Sequence, residues 1–308
     1  MPQNPFDKAS RYLANLDPAA FLAWATGVPA GRLAFRRWLD TRAVPFPGDA
    51  DRTGDTVARA EDPAGTEPPW AVAVEFQIEP DPLMFGRLLC YLGQLWLALK
   101  PDPGPGSRFH LAAVVVNLTG AGDASRDMRR PDAGFVTQLG VVERNLAGEN
   151  ADTLLAGIEG GRWSRALLPW LPLMTGGDDP GIIDRWKKLA EGEPDRRRKA
   201  DYALLALTFA GAAKRKAIWT RALEGWNMIE SEVANEWMAV GKAKGLAEGR
   251  AEQAAAAVVA VLEARFGSVP AEVESAVRGC VDLAKLQTWT TQAATTATLA
   301  EFCAAADV

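Results

Sequence analysis

The chain has a single histidine, three cysteines and three tyrosines among its 308 residues. One histidine cannot build the histidine-rich metal sets, so those are excluded on composition. His110 opens a strand-like run and is read as structural. Cys90, Cys280 and Cys303 show no CxxC spacing and sit in helix-like apolar contexts, which argues for reduced thiols in a cytoplasmic protein rather than a disulfide framework. The chain also lacks a strong charge of either sign. A net charge of −5 argues against a surface that binds nucleic acid by charge alone. The N-terminal MPQNPFDKAS has no apolar signal-peptide core, and the apolar run Tyr202 to Ala213 is too short to span a bilayer, so no membrane association is expected.

What is present is a 48% hydrophobic fraction, enough for a sizeable core. The stretch WAVAVEFQIEPDPLMFGRLLCYLGQLW, residues 70–96, organises the rest. Its first part reads as a strand, and strand side chains alternate between faces. Val72, Val74, Phe76 and Ile78 put the bulk on one face, predicted to be buried against helices. Ala71, Ala73, Glu75 and Gln77 fall on the other. Burying a carboxylate without a partner is costly, so this second face is expected to present chemistry. Asp81-Pro82 then reads as a helix N-cap and first helical residue, opening an apolar helix to about Leu99.

Upstream, residues 6–24 show helical spacing in two short helices punctuated by Asp17-Pro18, and Leu33, Phe35, Trp38 and Leu39 suggest another helical turn. TRAVPFPGDADRTG is loop-like, and residues 55–60 read as a strand antiparallel to the 70–78 strand, which brings Asp55 near Glu75. FHLAAVVVNL, residues 109–118, is β-branched without alternation, the pattern of a strand covered on both faces. Residues 121–131 read as a polar loop and 135–145 as an edge strand. From Asp152 onward the pattern is helical. Three regions result: a core at 1–160, a helical extension at 161–237, and an alanine-rich helical region at 238–308, where Gly241, Gly245 and Gly249 form a stripe that either admits a close helix or is simply tolerated.

The chemistry-bearing set is Asp55 followed by Glu75-Phe76-Gln77. Two carboxylates from adjacent strands suit Mg²⁺, a hard cation that takes oxygen ligands, and Gln77, on the face of Glu75, is placed to orient a water. The string VEFQIEPDPLMFGRLLCYLGQLW, preceded by GDTVARA, resembles the recombination-promoting nuclease family of transposase-like proteins, within the PD-(D/E)XK nuclease superfamily. FDKASRYL, LAAVVVNLTG, WLPLM, DPGIIDRW and EGRAEQAAAAVVAVLEARFG extend the resemblance over most of the chain. It implies a restriction-endonuclease-like mixed sheet flanked by helices, a metal-dependent (Mg²⁺ or Mn²⁺) DNA endonuclease, Asp55 and Glu75 as metal ligands, and Gln77 where the superfamily has lysine. Arg87 and Tyr91 match the helix positions.

Gln77 carries no charge and does not titrate, which leaves open a nuclease-fold binding or assembly protein without turnover. DNA contact would fall to Arg36, Arg37, Arg126, Arg129 and Arg130, whose side chains suit phosphate. The runs at 196–199 and 214–216 are read as solvated surface. Arg87 and Tyr91, at i and i+4, are neighbours on one helix face. Either they face the cleft with Arg87 on a carboxylate or phosphate, or they form an ion-paired surface with a half-buried tyrosine. The C-terminal helices are candidates for self-association into a homo-oligomer.

Overall fold

The computed structural model describes residues 5–41, 44, 56–102, 104, 106–228 and 230–308, with the side chains of 232, 236–245 and 248 left out. The chain divides into two compact units, residues 1–234 and 235–308.

The first unit opens with α1 (Pro5–Leu16) and α2 (Pro18–Thr26). Asp17 separates them and caps α2, its Oδ1 accepting from the Ala20 amide at 3.1 Å. A mixed sheet follows, in the order β1 (Ala34–Trp38), β2 (Thr56–Glu61), β3 (Trp70–Gln77), β4 (His110–Asn117) and β7 (Val142–Asn145). The β1–β2 and β2–β3 pairs are antiparallel; β3–β4 and β4–β7 are parallel. α3 (Met84–Ala98) makes the crossover from β3 to β4. The result is an α/β unit with a mixed sheet flanked by helices, and β3 is central in it.

β1 stands where a helical turn was expected. A β-bulge between Phe35 and Arg37 inserts Arg36, so Phe35 registers with Ala60 and Trp38 with Ala58. The extra residue brings positions three apart onto one face, which imitates helical spacing in the sequence. Phe35 and Trp38 then meet edge to face at 5.0 Å. The expected polar loop at 121–131 also departs from expectation: Arg126–Arg130 form β5, paired antiparallel with β6 (Phe135–Leu139) in a separate hairpin. The single edge strand expected at 135–145 is therefore two strands, and only β7 joins the main sheet.

Both faces of β3 are covered. Phe76 lies 5.8 Å from the Phe21 ring and stacks on Trp170 at 6.0 Å, so the bulky face packs on α2 and the 3-10 segment Arg165–Leu173. Ile78, just beyond the strand, is only partly buried. On the other face Ala71 and Ala73 join Met84, Leu88, Tyr91, Leu92 and Leu95 of α3 in one core. Small strand residues leave room for large helix residues, so this face is the seat of α3 rather than the open surface expected. The remaining helices of this unit are α4 (Ala151–Glu159), α5 (Pro180–Glu191), α6 (Arg196–Ala212) and α7 (Lys216–Ala222).

The long helix α8 (Glu232–Phe266) leads into the second unit, which continues with α9 (Ala271–Arg278), α10 (Leu283–Thr295) and α11 (Leu299–Ala306). Ala251, Ala255, Val258 and Leu262, one stripe of α8, pack with Val277, Leu286, Trp289 and Phe302. Among the described residues, no atom comes within 4 Å of a Cβ built on Gly249.

Among the described residues, no helix is long and apolar enough to cross a membrane.

Candidate functional site

Glu75 and Gln77 occupy one face of β3, as alternation requires, at the C-terminal end of the strand. Open α/β sheets place ligands beyond the carboxyl ends of their parallel strands. Register extends both positions across the sheet: Glu75 lies in a row with Val115 and Glu143, and Gln77 in a row with Asn117 and Asn145. The polar end of the sheet is thus wider than Glu-X-Gln. Asn117, Glu143 and Asn145 escaped the sequence reading, although the polar endings of AAVVVN and VVERN after apolar residues were a usable signal.

These added residues are mostly engaged. Asn117 Nδ2 donates to Asn145 Oδ1 at 2.8 Å, and the Gly122 amide donates to the same oxygen at 2.9 Å. A Cβ on Gly122 would stand 2.5 Å from Asn117 Nδ2, so a larger residue there would have to displace the Asn117 amide. Glu143 Oε1 accepts from the Ala124 amide at 2.7 Å. Glu143 and Asn145 therefore hold the loop 121–125. Gln77 is different: its Nε2 is buried and has no partner among the described residues.

Glu75 is 0% exposed, enclosed on the α3 face of the sheet. The expectation that this face is an accessible cleft is corrected on that point. Asp55 lies outside the described residues; β2 begins at Thr56, which registers with Val74. Among the described residues, no group of three His, Cys, Asp or Glu side chains is placed to hold a metal ion, so these residues alone do not make up a metal set.

Arg87 and Tyr91 separate by environment. Arg87 Nη1 pairs with Asp81 Oδ2 at 2.7 Å at the rim of α3. Asp81 also accepts from the Leu83 amide at 2.8 Å, holding the turn that precedes the helix. Tyr91 is wholly buried in the α3 core, not half-buried.

The arginines proposed for DNA lie on two separate elements. Arg36 and Arg37 are on β1, and Arg126, Arg129 and Arg130 on β5. Arg36 Nε pairs with Glu61 Oε2 at 2.8 Å. Hydrogen bonding from Arg59, and after it from Arg36, holds the Glu61 carboxyl below the usual range. Arg126 pairs with Asp123 at 3.2 Å, Arg129 with Asp127 at 2.6 Å and Arg130 with Asp132 at 3.3 Å. Each of these four guanidinium groups thus has a carboxylate beside it. His110, at the start of β4, stands 3.7 Å from Glu67 and edge-on to Trp70, away from the Glu75 end of the strand.

On the opposite face, Arg144 sits in the row of Phe76 and Val116. Its guanidinium lies 4.4 Å over the Trp24 ring and pairs with Glu149 at 2.8 Å. Burial lowers the Arg144 pKa and raises that of Glu149, while their mutual attraction works against both shifts.

The fold and this site define an α/β protein with polar groups gathered at the carboxyl ends of its central parallel strands. No family model, curated protein or solved structure matches the chain.

Proposed function

We propose that the first unit is a metal-dependent DNA endonuclease-like domain with a restriction-endonuclease-like core, in which Asp55, Glu75 and Gln77 carry the chemistry. The observation that carries the reading is the common face of Glu75 and Gln77 at the end of β3, within the element order β2, β3, α3, β4. That order is what the resemblance to the PD-(D/E)XK nucleases implies. The buried, unpartnered Gln77 Nε2 adds support, since an amide donor held ready at a strand end suits a polar ligand or an ordered water. Mg²⁺ or Mn²⁺ belongs to the proposal through the sequence pattern Asp55, Glu75-X-Gln77. Arg36, Arg37, Arg126, Arg129 and Arg130 are its DNA-contact residues, with Arg87 and Tyr91 in support from α3. A cytoplasmic location completes the reading.

A second reading is a nuclease-fold protein that binds or assembles without turnover. The complete burial of Glu75 and the carboxylate beside each of four candidate DNA-contact arginines favour it. One experiment separates the two. Plasmid nicking is measured with Mg²⁺ or Mn²⁺, with and without EDTA, for the wild type beside Asp55→Ala and Glu75→Ala. The enzyme nicks only with the ion and loses activity in both variants. The binding protein does not nick with any divalent ion, and its binding weakens with salt but ignores EDTA and Asp55→Ala.

A further inference from the structure

α3 has a second face, turned away from the sheet. No charged residue stands between Arg87 and Lys100. Leu83, Leu89, Trp96 and Leu97 are 44–69% exposed, and Cys90 is the exposed one of the three cysteines. Exposed apolar residues gathered along one side of a helix are the composition of a docking face.

Its residue order says what docks. Gly86, Cys90, Gly93 and Leu97 follow at i, i+4, i+7 and i+11, which is one stripe along a helix. Among the described residues, a Cβ built on Gly86 or Gly93 meets no atom within 4 Å, so both leave open space on the stripe. Read backwards, the stripe complements itself. When two copies run antiparallel, Leu97 of each stands over Gly86 of the other, and Cys90 over Gly93. The ends agree. Glu79 and Asp81 outnumber Arg87 at the start of α3, while Lys100 and Arg108 outnumber Asp102 beyond its end. Antiparallel pairing sets the acidic end of each copy against the basic end of the other, and opposes the two helix dipoles.

We propose that this face of α3 is a two-fold interface between two copies of this chain, with the helices antiparallel. A two-fold contact uses the same patch on both subunits, as this one does. The fifteen-residue helix is about 22 Å long and roughly 10–12 Å across. By itself it offers less than the ~800 Å² per partner of a strong interface, so the association is expected at micromolar concentration. The inference stands apart from the proposed nuclease activity.

Sedimentation equilibrium of the full chain over roughly 1–100 µM tests it. The wild type is expected to pass from monomer to dimer. Leu97→Glu removes the knob and Gly93→Leu fills the hollow; each should raise the dimer dissociation constant by about tenfold or more. Both sites are exposed, so helical circular dichroism should be unchanged, which separates lost association from lost folding. A wild type that stays monomeric throughout overturns the proposal. So does a dimer that survives either variant, including one held by the second unit's helices.

Discussion

The two faces of β3 show how one strand serves two kinds of packing. On one face, large residues meet large residues: Phe76 lies between Phe21 and Trp170, with Val72 and Val74 beside it in the core. On the other, Ala71 and Ala73 yield volume to Leu88, Tyr91 and Leu95 of α3. Each face also carries an ionisable residue of the sheet, one wholly and one partly buried. Glu75 lies under α3, and across the sheet Arg144 shares a row with Phe76 and is matched by Glu149 and the Trp24 ring. Burial by itself therefore does not distinguish a chemical face from a structural one. What distinguishes them is the row of polar ends, Gln77, Asn117 and Asn145, found on the α3 face.

The sharpest way to break this comparison is Phe76→Ala. The side chain is 4% exposed between two aromatic rings, so its loss should cost about 3–5 kcal/mol in urea unfolding. A loss below about 1 kcal/mol would mean that this face is not a core. Ala73→Leu asks the opposite question. Overfilling the α3 seat should cost about 1–3 kcal/mol, and a neutral result would show that α3 packs loosely on the strand.

Glu149→Gln probes the charge on the bulky face. Burial raises the Glu149 carboxyl above its ordinary value of 4.5, so the ionised form costs folded-state stability. That cost is fully present above the folded pKa and is relieved as pH falls toward the unfolded value. The carboxylate keeps some contact with water, which screens it and keeps the cost small. The difference in unfolding free energy between variant and wild type should therefore shift toward the wild type as pH falls through the raised folded pKa toward 4.5. A pH-independent difference would show that the carboxyl keeps its ordinary acidity. The smallest effect belongs to Arg87→Ala at the rim of the α3 face. Its ion pair with Asp81 is partly exposed, so the expected cost is about 0.2–1 kcal/mol, fading with salt. A larger, salt-independent loss would place Arg87 inside the site.

Several features are legible in the sequence. Alternation in 70–77 placed Glu75 and Gln77 on one face, and the β-branched run at 109–118 announced a strand covered on both sides. Asp17, before Pro18, marked a helix start that its carboxylate does cap. Other features were hidden for physical reasons. The bulge at Arg36 converted a strand's period into an apparent helical one. The strand at 126–130 is four charged residues and an exposed Met128, none of them buried, so hydrophobic pattern carried no signal for it. Arg36 looked available because its partner Glu61 comes close only across the β1–β2 pair, whereas Asp127 and Asp132, the partners of Arg129 and Arg130, stand two residues away in the sequence and were a usable signal.

The sequence by itself determined which side chains share a face, because strand alternation and helix periodicity are local geometry. It set Glu75 beside Gln77, and Gly86, Cys90, Gly93 and Leu97 along one stripe. Tertiary structure alone decided what each face meets. α3 closes over the alanine face, Asn117 and Asn145 fall into the row of Gln77, and Glu75 becomes wholly buried. These outcomes depend on parallel register and on a crossover helix returning to the sheet, and such contacts between distant segments are written in no single stretch of chain.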